Sequence, residues 1–423
     1  MVGEVRPVAR RAERAGTRSC TFLVAAFGDP GHAFPAIALA RALARRGHRV
    51  VVETWERWRE AVEAEGLEFT AAEEYKAFPP PPLGSADGAS VAHAALALAP
   101  LVEGLRPDAV VSDILTLAPA LAAERAGVRR ATLIPHVHPV HEPGLPFFAF
   151  GALLPRTAVG RAAWRAALPA LEGGLRRGRR ELNESRAAVG LPPLGRFHGG
   201  ISEELAMVAT YPQLEYPRRW PAAVEVTGPM EFELPYEEVE LPEGEGPLVV
   251  VAPSTAQDPE CRLVRAALEG LADEPVRVLA TTNRHRPETP PPAAPANARV
   301  VDWAGYSQVM PAADVVVCHG GHGTVARALG AGAPVLACPA VGDMAENGAR
   351  VAWAGAGLMV PWRLARPGAV RAAVRRILAD RGFEARAGEI AAWGRANDGA
   401  ARGAKLVEGL ALRPLGRSTS TET

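Results

Sequence analysis

Two doubly wound α/β domains are what this sequence predicts, and three observations predict them. Residues 315–339 read as a buried strand, a glycine-rich turn, a helix, a Gly/Pro break and a second buried strand, the βαβ grammar of a parallel sheet. Strands and helices alternate from Cys20 to Pro135 in the same way. The chain's 423 residues exceed one ordinary core, and a Glu/Pro-rich stretch, Gly228 to Gly246, divides it near the middle.

The elements of the first half follow in order. Met1 to Arg18 is polar and Arg-rich without an apolar core, so it reads as a disordered leader. Cys20 to Phe27 is a strand, Gly28-Asp29-Pro30-Gly31-His32 a turn, Phe34 to Arg46 a helix and Arg49 to Glu53 the next strand. A helix over Trp55 to Ala64, a strand near Phe69, a loop from Pro79 to Gly88 and a helix over Ser90 to Leu105 follow. Ala109 to Ser112 is a strand with Asp113 at its carboxyl end, and Leu117 to Ala126 and Ala131 to Pro135 form one more helix and strand. Open α/β sheets bind ligands beyond the carboxyl ends of their strands, so His32 and Asp113 share an edge. His136, His138 and His141 come next, in a spacing that matches no zinc signature, so a ligand-facing loop is expected there, and no metal. Between residues 143 and 200, helical segments span Arg161 to Leu168 and Leu175 to Val189, and Phe147, Phe148, Phe150 and Trp164 could line an apolar pocket. Leu205 to Ala209 and Val224 to Thr227 close the first half, residues 19–227.

The second half, residues 247–398, opens with the strand Leu248 to Val251. Ser254 and Thr255 follow it, where hydroxyls can either reach a phosphate or cap the helix expected over Pro259 to Leu271. Val276 to Thr281 and Arg299 to Asp302 are strands. In the turn His319-Gly-Gly-His-Gly-Thr324, the glycines let backbone approach a ligand, and the free amides opening the helix suit an anion such as a phosphate, with Thr324 and His319 as further donors. A helix over Ala345 to Gly355, a strand Leu358 to Pro361, helices over Gly368 to Ala379 and Phe383 to Asn397, and a last helical segment within 399–414 complete the chain before a Ser/Thr-rich tail, 415–423, expected to be disordered.

Composition narrows the function. Lys+Arg and Asp+Glu both number 47, so no massed positive patch invites nucleic acid. No apolar stretch reaches spanning length before Pro, Gly or charge interrupts it, and the four cysteines lack CxxC spacing, which fits buried free thiols in a reducing cytoplasm.

The run His319-Gly-Gly-x-Gly-Thr324, Gly332-x-Pro334, Pro339 and Asp343-x-x-x-Asn347 resembles the donor-binding signature of the family 1 glycosyltransferases of GT-B fold. That resemblance implies two facing Rossmann-like domains with a cleft between them, and a final helix, residues 399–414, that crosses back to the first. It implies that His319, Thr324 and the backbone at Gly321 and Gly323 hold the diphosphate of a nucleotide sugar, and that Asp343 holds sugar hydroxyls. Ser254 and Thr255 stand near a family hydroxyl, and Trp303, sixteen residues before His319, stands where the family stacks a Trp on the base. Two positions depart from the pattern: Arg327 replaces a ribose-binding Glu, and Met344 a sugar-reading Gln. Loss of that Glu makes a thymidine donor as plausible as a uridine one.

Gly31-His32-x-x-Pro35 resembles the family's base motif, and Asp113 falls where the family places the base's partner. The expectation is therefore an inverting transferase in which His32, oriented by Asp113, deprotonates an acceptor hydroxyl. The acceptor would be a small apolar natural-product aglycone near His136, Phe147 and Phe148, with no metal or other cofactor and no nucleic-acid or membrane-inserted partner. A lipid-linked acceptor, a nucleotide-sugar epimerase and a non-catalytic binding module remain as alternatives.

Overall fold

Strands apolar at nearly every position must be covered on both faces, and the central strands of both halves are of this kind. Leu248–Ala252 and Ala109–Asp113 are buried throughout. The computed structural model describes residues 18–73, 88–196, 198, 200–254, 258, 260–283, 293–340 and 342–413. The leader short of Arg18, most of the 79–88 loop, Thr255 and the 415–423 tail lie outside them.

The first lobe carries β1 (Thr21–Ala25), α1 (Pro30–Arg45), β2 (Arg49–Trp55), α2 (Arg59–Ala64), β3 (Glu68–Ala72), α3 (Gly88–Leu105), β4 (Ala109–Asp113), α4 (Leu117–Arg125) and β5 (Arg129–Ile134). After these come α5 (Ala158–Ala166), α6 (Leu168–Ala188), β6 (Ala206–Val208) and β7 (Val224–Val226). The seven strands form one sheet in the order β3-β2-β1-β4-β5-β6-β7, with every pairing parallel. Alternate residues serve opposite faces: Phe22, Val24, Val50 and Val52 meet Leu39 and Leu43 of α1, whereas Leu23, Val51 and Val110 meet Val102, Ala122 and Ala123.

The second lobe carries β8 (Leu248–Ala252), α7 (Arg262–Leu271), β9 (Arg277–Thr281), β10 (Ala298–Val301), α8 (Tyr306–Val309), β11 (Val315–Cys318), α9 (His322–Ala331) and β12 (Val335–Ala337). Next are α10 (Asp343–Ala354), β13 (Gly357–Met359), α11 (Pro367–Ala379), α12 (Arg381–Ala396) and α13 (Gly399–Leu412). Its six parallel strands run β10-β9-β8-β11-β12-β13. The two-sheet α/β class expected from the sequence is therefore the class observed.

Several local expectations shift. Helix α7 begins at Arg262 rather than Pro259, because the Asp258 carboxylate accepts from the amides of Arg262 (2.8 Å) and Leu263 (3.1 Å) and so caps it. The segment 228–246 has no helix or strand, yet it is strapped to the second lobe. Glu233 accepts from the Tyr306 amide at 2.7 Å, and the Gln308 side chain bonds both N–H and C=O of Val239. Helix α13 turns back onto α1, and its Ala404, Val407 and Leu410 complete the first lobe's core. All four cysteines are free and buried.

Candidate active site

In each sheet the chain reverses direction of travel once, between β1 and β4 in the first lobe and between β8 and β11 in the second. Such switch points open a crevice at the strands' carboxyl ends. His32 sits at the first. Pro30 opens α1, where its missing N–H costs nothing, and the Asp29 carbonyl accepts from the amides of His32 and Ala33. Asp29 is thus a turn former with no side-chain cap. Gly28 is obligatory, since a Cβ there would lie 2.0 Å from the Trp55 ring.

The His32 Nδ1–H donates to Asp113 Oδ1 at 2.8 Å, with the carboxylate fully buried and the imidazole 18% exposed. Asp113 is held in turn by the Leu115 amide and the Thr116 hydroxyl. Burial alone would lower the His32 pKa, but the charge and hydrogen bond of Asp113 outweigh it, so the net shift is upward. This arrangement fixes the tautomer and leaves Nε2 free to take a proton.

The second switch point holds the glycine turn. Gly320 has φ +86, and the Asn347 side-chain amide donates to its carbonyl at 3.0 Å, so Asn347 braces the turn. A Cβ on Gly321 would stand 2.3 Å from His319 Nε2, so a side chain there would have to displace that ring, and Gly323 faces open space. His319 directs Nδ1 toward Ala252 O (3.5 Å); burial holds its pKa below the ordinary value. Thr324, half-buried, lies in the first turn of α9. The backbone of Met344 packs against Gly320, and Asp343 opens α10 just after Gly342, whose φ is +67.

Asp343 joins the two lobes electrically. Its charge raises the pKa of His32 and acts the same way on His136, His319 and His322. His136 meets His32 edge-on, with ring centroids 6.1 Å apart, and stacks on Phe148 at 5.6 Å. Phe147 turns elsewhere, into a cluster with His141, Phe150 and Trp164. His138 packs on Trp220, so the three histidines after β5 diverge. Trp303 is half-buried just after β10, and Ser254 is buried just after β8.

Sequence reasoning passed over His322 and Arg350 and did not foresee the partners of Arg327. His322, the first residue of α9, is buried and its Nε2–H donates across the lobes to Ala209 O at 3.2 Å; its place inside the glycine motif was the available signal. Arg327 is committed to the linker, pairing with Glu233 at 2.9 Å and bonding Phe232 O. Arg350 of α10 bonds Glu346 (2.8 Å) and Glu215 (3.2 Å), and its guanidinium lies 3.6 Å over the Tyr216 ring, which forms a buried ionic brace between the lobes. The long separations of these pairs hid them. A cavity of about 740 Å³ lies on the flank of the first lobe beside His138, Leu175 and Val224, away from His32.

Comparison with known proteins agrees with this fold. Residues 22–113 match the model described as Glycosyltransferase family 28 N-terminal domain, and residues 266–402 the one described as Erythromycin biosynthesis protein CIII-like, C-terminal domain. The chain belongs to the family 1 glycosyltransferases of GT-B fold. It is 28% identical to 4'-demethylrebeccamycin synthase of Lentzea aerocolonigenes, over 92% of this chain and 99% of that protein. Identity is 29% with the O-mycaminosyltylonolide 6-deoxyallosyltransferase of Streptomyces fradiae, over 90% and 95%. Among solved structures, the calicheamicin glycosyltransferase CalG4 superposes with a TM-score of 0.70 at 22% identity, covering 95% of this glycosyltransferase and all of CalG4. Among the described residues no helix is long and apolar enough to cross a membrane.

Proposed function

We propose that this protein transfers a sugar, with inversion, from a nucleoside-diphosphate sugar to a hydroxyl of a small, largely apolar aglycone. The observation that carries this reading is the His32–Asp113 pair set across the crevice from the Gly320–Thr324 turn, with Asp343 within electrostatic reach of both sides. His32 Nε2 removes the acceptor's proton as its oxygen attacks the anomeric carbon, and Asp113 stabilises the imidazolium that forms. The leaving diphosphate rests on the amides that open α9, with Thr324 beside them. His319, at the end of β11 beside the glycine turn, donates a further hydrogen bond to the diphosphate. Asp343 takes sugar hydroxyls, Trp303 stacks on the base, and Phe148 and His136 face the aglycone.

Thymidine is the favoured base partner. Arg327 stands where a ribose-binding carboxylate would be and is already held by Glu233, so nothing at that helix position selects for a 2′-hydroxyl. A solved relative, VinC, was obtained in complex with dTDP, which supports the same choice.

The test has two parts. Thermal-shift measurements with uridine, thymidine, guanosine and adenosine diphosphates should show stabilisation by the thymidine compound first; no stabilisation by any would overturn the donor assignment. Incubation of labelled dTDP-glucose and UDP-glucose with and without a phenolic acceptor should give glycoside only with acceptor. Sugar isomerised without acceptor would point to an epimerase instead.

A further inference from the structure

His136 packs against His32 and lies within electrostatic reach of Asp343, and its surroundings define what it can do. Its Nδ1–H donates to Val137 O at 2.8 Å, which fixes the neutral ring with Nε2 as a lone-pair acceptor. One ring face is occupied by Phe148, with planes 29° apart, and His32 approaches edge-on at 77°. Among the described residues no protein group bonds Nε2, although His136 is only 9% exposed.

Once His32 has taken a proton, its positive charge opposes a second one on a ring 6.1 Å away. His136 is therefore neither a second base nor a proton donor during transfer. What remains to it is accepting a hydrogen bond. A nitrogen that lost water to a bound acceptor without gaining a donor would oppose binding of that acceptor.

Resting on the transferase reading above, we propose that His136 selects the acceptor. Its Nε2 accepts from a second hydroxyl adjacent to the one His32 deprotonates, so the preferred substrates carry two vicinal hydroxyls, as ortho-dihydroxy aromatics do. A monohydroxy acceptor leaves that nitrogen unpaired, and sites built to bond a substrate hydroxyl discriminate strongly against analogues that lack it.

The experiment compares kcat/KM for 1,2-dihydroxynaphthalene and 2-naphthol, with whichever nucleotide sugar the thermal-shift panel selects. The wild-type ratio should favour the diol by about 10- to 100-fold. In His136→Phe, which keeps an aromatic ring against Phe148, the ratio should collapse toward one, and His136→Gln, which keeps an acceptor, should retain part of it. Intrinsic acidity of the two naphthols is common to all three proteins, so the change in ratio is the readout. Should His136→Phe fail to fold, the partial loss in His136→Gln carries the test. A wild-type ratio near one, or the same ratio in wild type and variants, overturns the selecting role and leaves glycosyl transfer standing. Transfer to neither naphthol by wild type that still binds its nucleotide would instead fell the acceptor class itself.

Discussion

On the first lobe the proposed chemistry rests on side chains: His32 and Asp113, 81 residues apart in the chain, meet at 2.8 Å. On the second it rests on backbone: the turn from Gly320 to Thr324, braced by Asn347 at the Gly320 carbonyl and with His319 close against Gly321. On that proposal the first arrangement would concentrate its effect in a single proton and be sensitive to one substitution. The second would spread its effect over several amides and lose function by degrees. Between them stand the buried brace of Arg350 and the His322 bond to Ala209, which contribute to neither chemistry but hold the halves in register.

The contrast can be broken most sharply at His32. His32→Ala should lower kcat by about 10²- to 10⁴-fold while nucleotide still binds, measured by transfer assay and isothermal titration. Because the His32 pKa is raised and only the neutral ring can accept a proton, kcat/KM should climb with pH through an apparent pKa above the ordinary histidine value. Asp113→Asn should move that limb downward. At the brace, Arg350→Ala leaves two buried carboxylates facing each other and should cost about 3–5 kcal/mol in urea unfolding.

Effects on the backbone side should be smaller. Gly321→Ala pushes His319 aside and should weaken nucleotide binding about tenfold, or roughly 1.4 kcal/mol. Gly323→Ala meets nothing in the protein, so any loss of affinity there reports the ligand itself. Acid is a separate probe. Burial pushes the pKa of His322 down to about 4 and that of His138 to about 3, below the unfolded value near 6.5. The unfolded chain therefore binds the extra protons, and stability should fall as pH drops from about 6.5 toward 4. The slope approaches about 1.4 kcal/mol per pH unit for each ring. His322→Asn should flatten that slope.

The same contrast explains what could be read from the amino-acid sequence. The donor turn lies within one unbroken run from Val315 to Asn347, where the apolar period switches from strand to helix and back, and the strand-end rule sufficed to put His32 and Asp113 on one edge. Docking of the lobes was not legible. Arg350 finds Glu215 across 135 residues and Arg327 finds Phe232 across 95, and no local period encodes either meeting. Short-range surprises had short-range causes: Asp258 delayed helix α7 by accepting two amides, and Glu233 turned an expected linker into a strap.

Helix α13 has a consequence for how the chain is made. Its Ala404, Val407 and Leu410 fill the core beneath α1, and Glu408 pairs with Arg46. During synthesis the first lobe emerges before the second, and the apolar groove that α13 fills stays uncovered until that helix has been translated. Nicks or truncations near residue 399 should therefore injure the half of the molecule most distant from them along the chain.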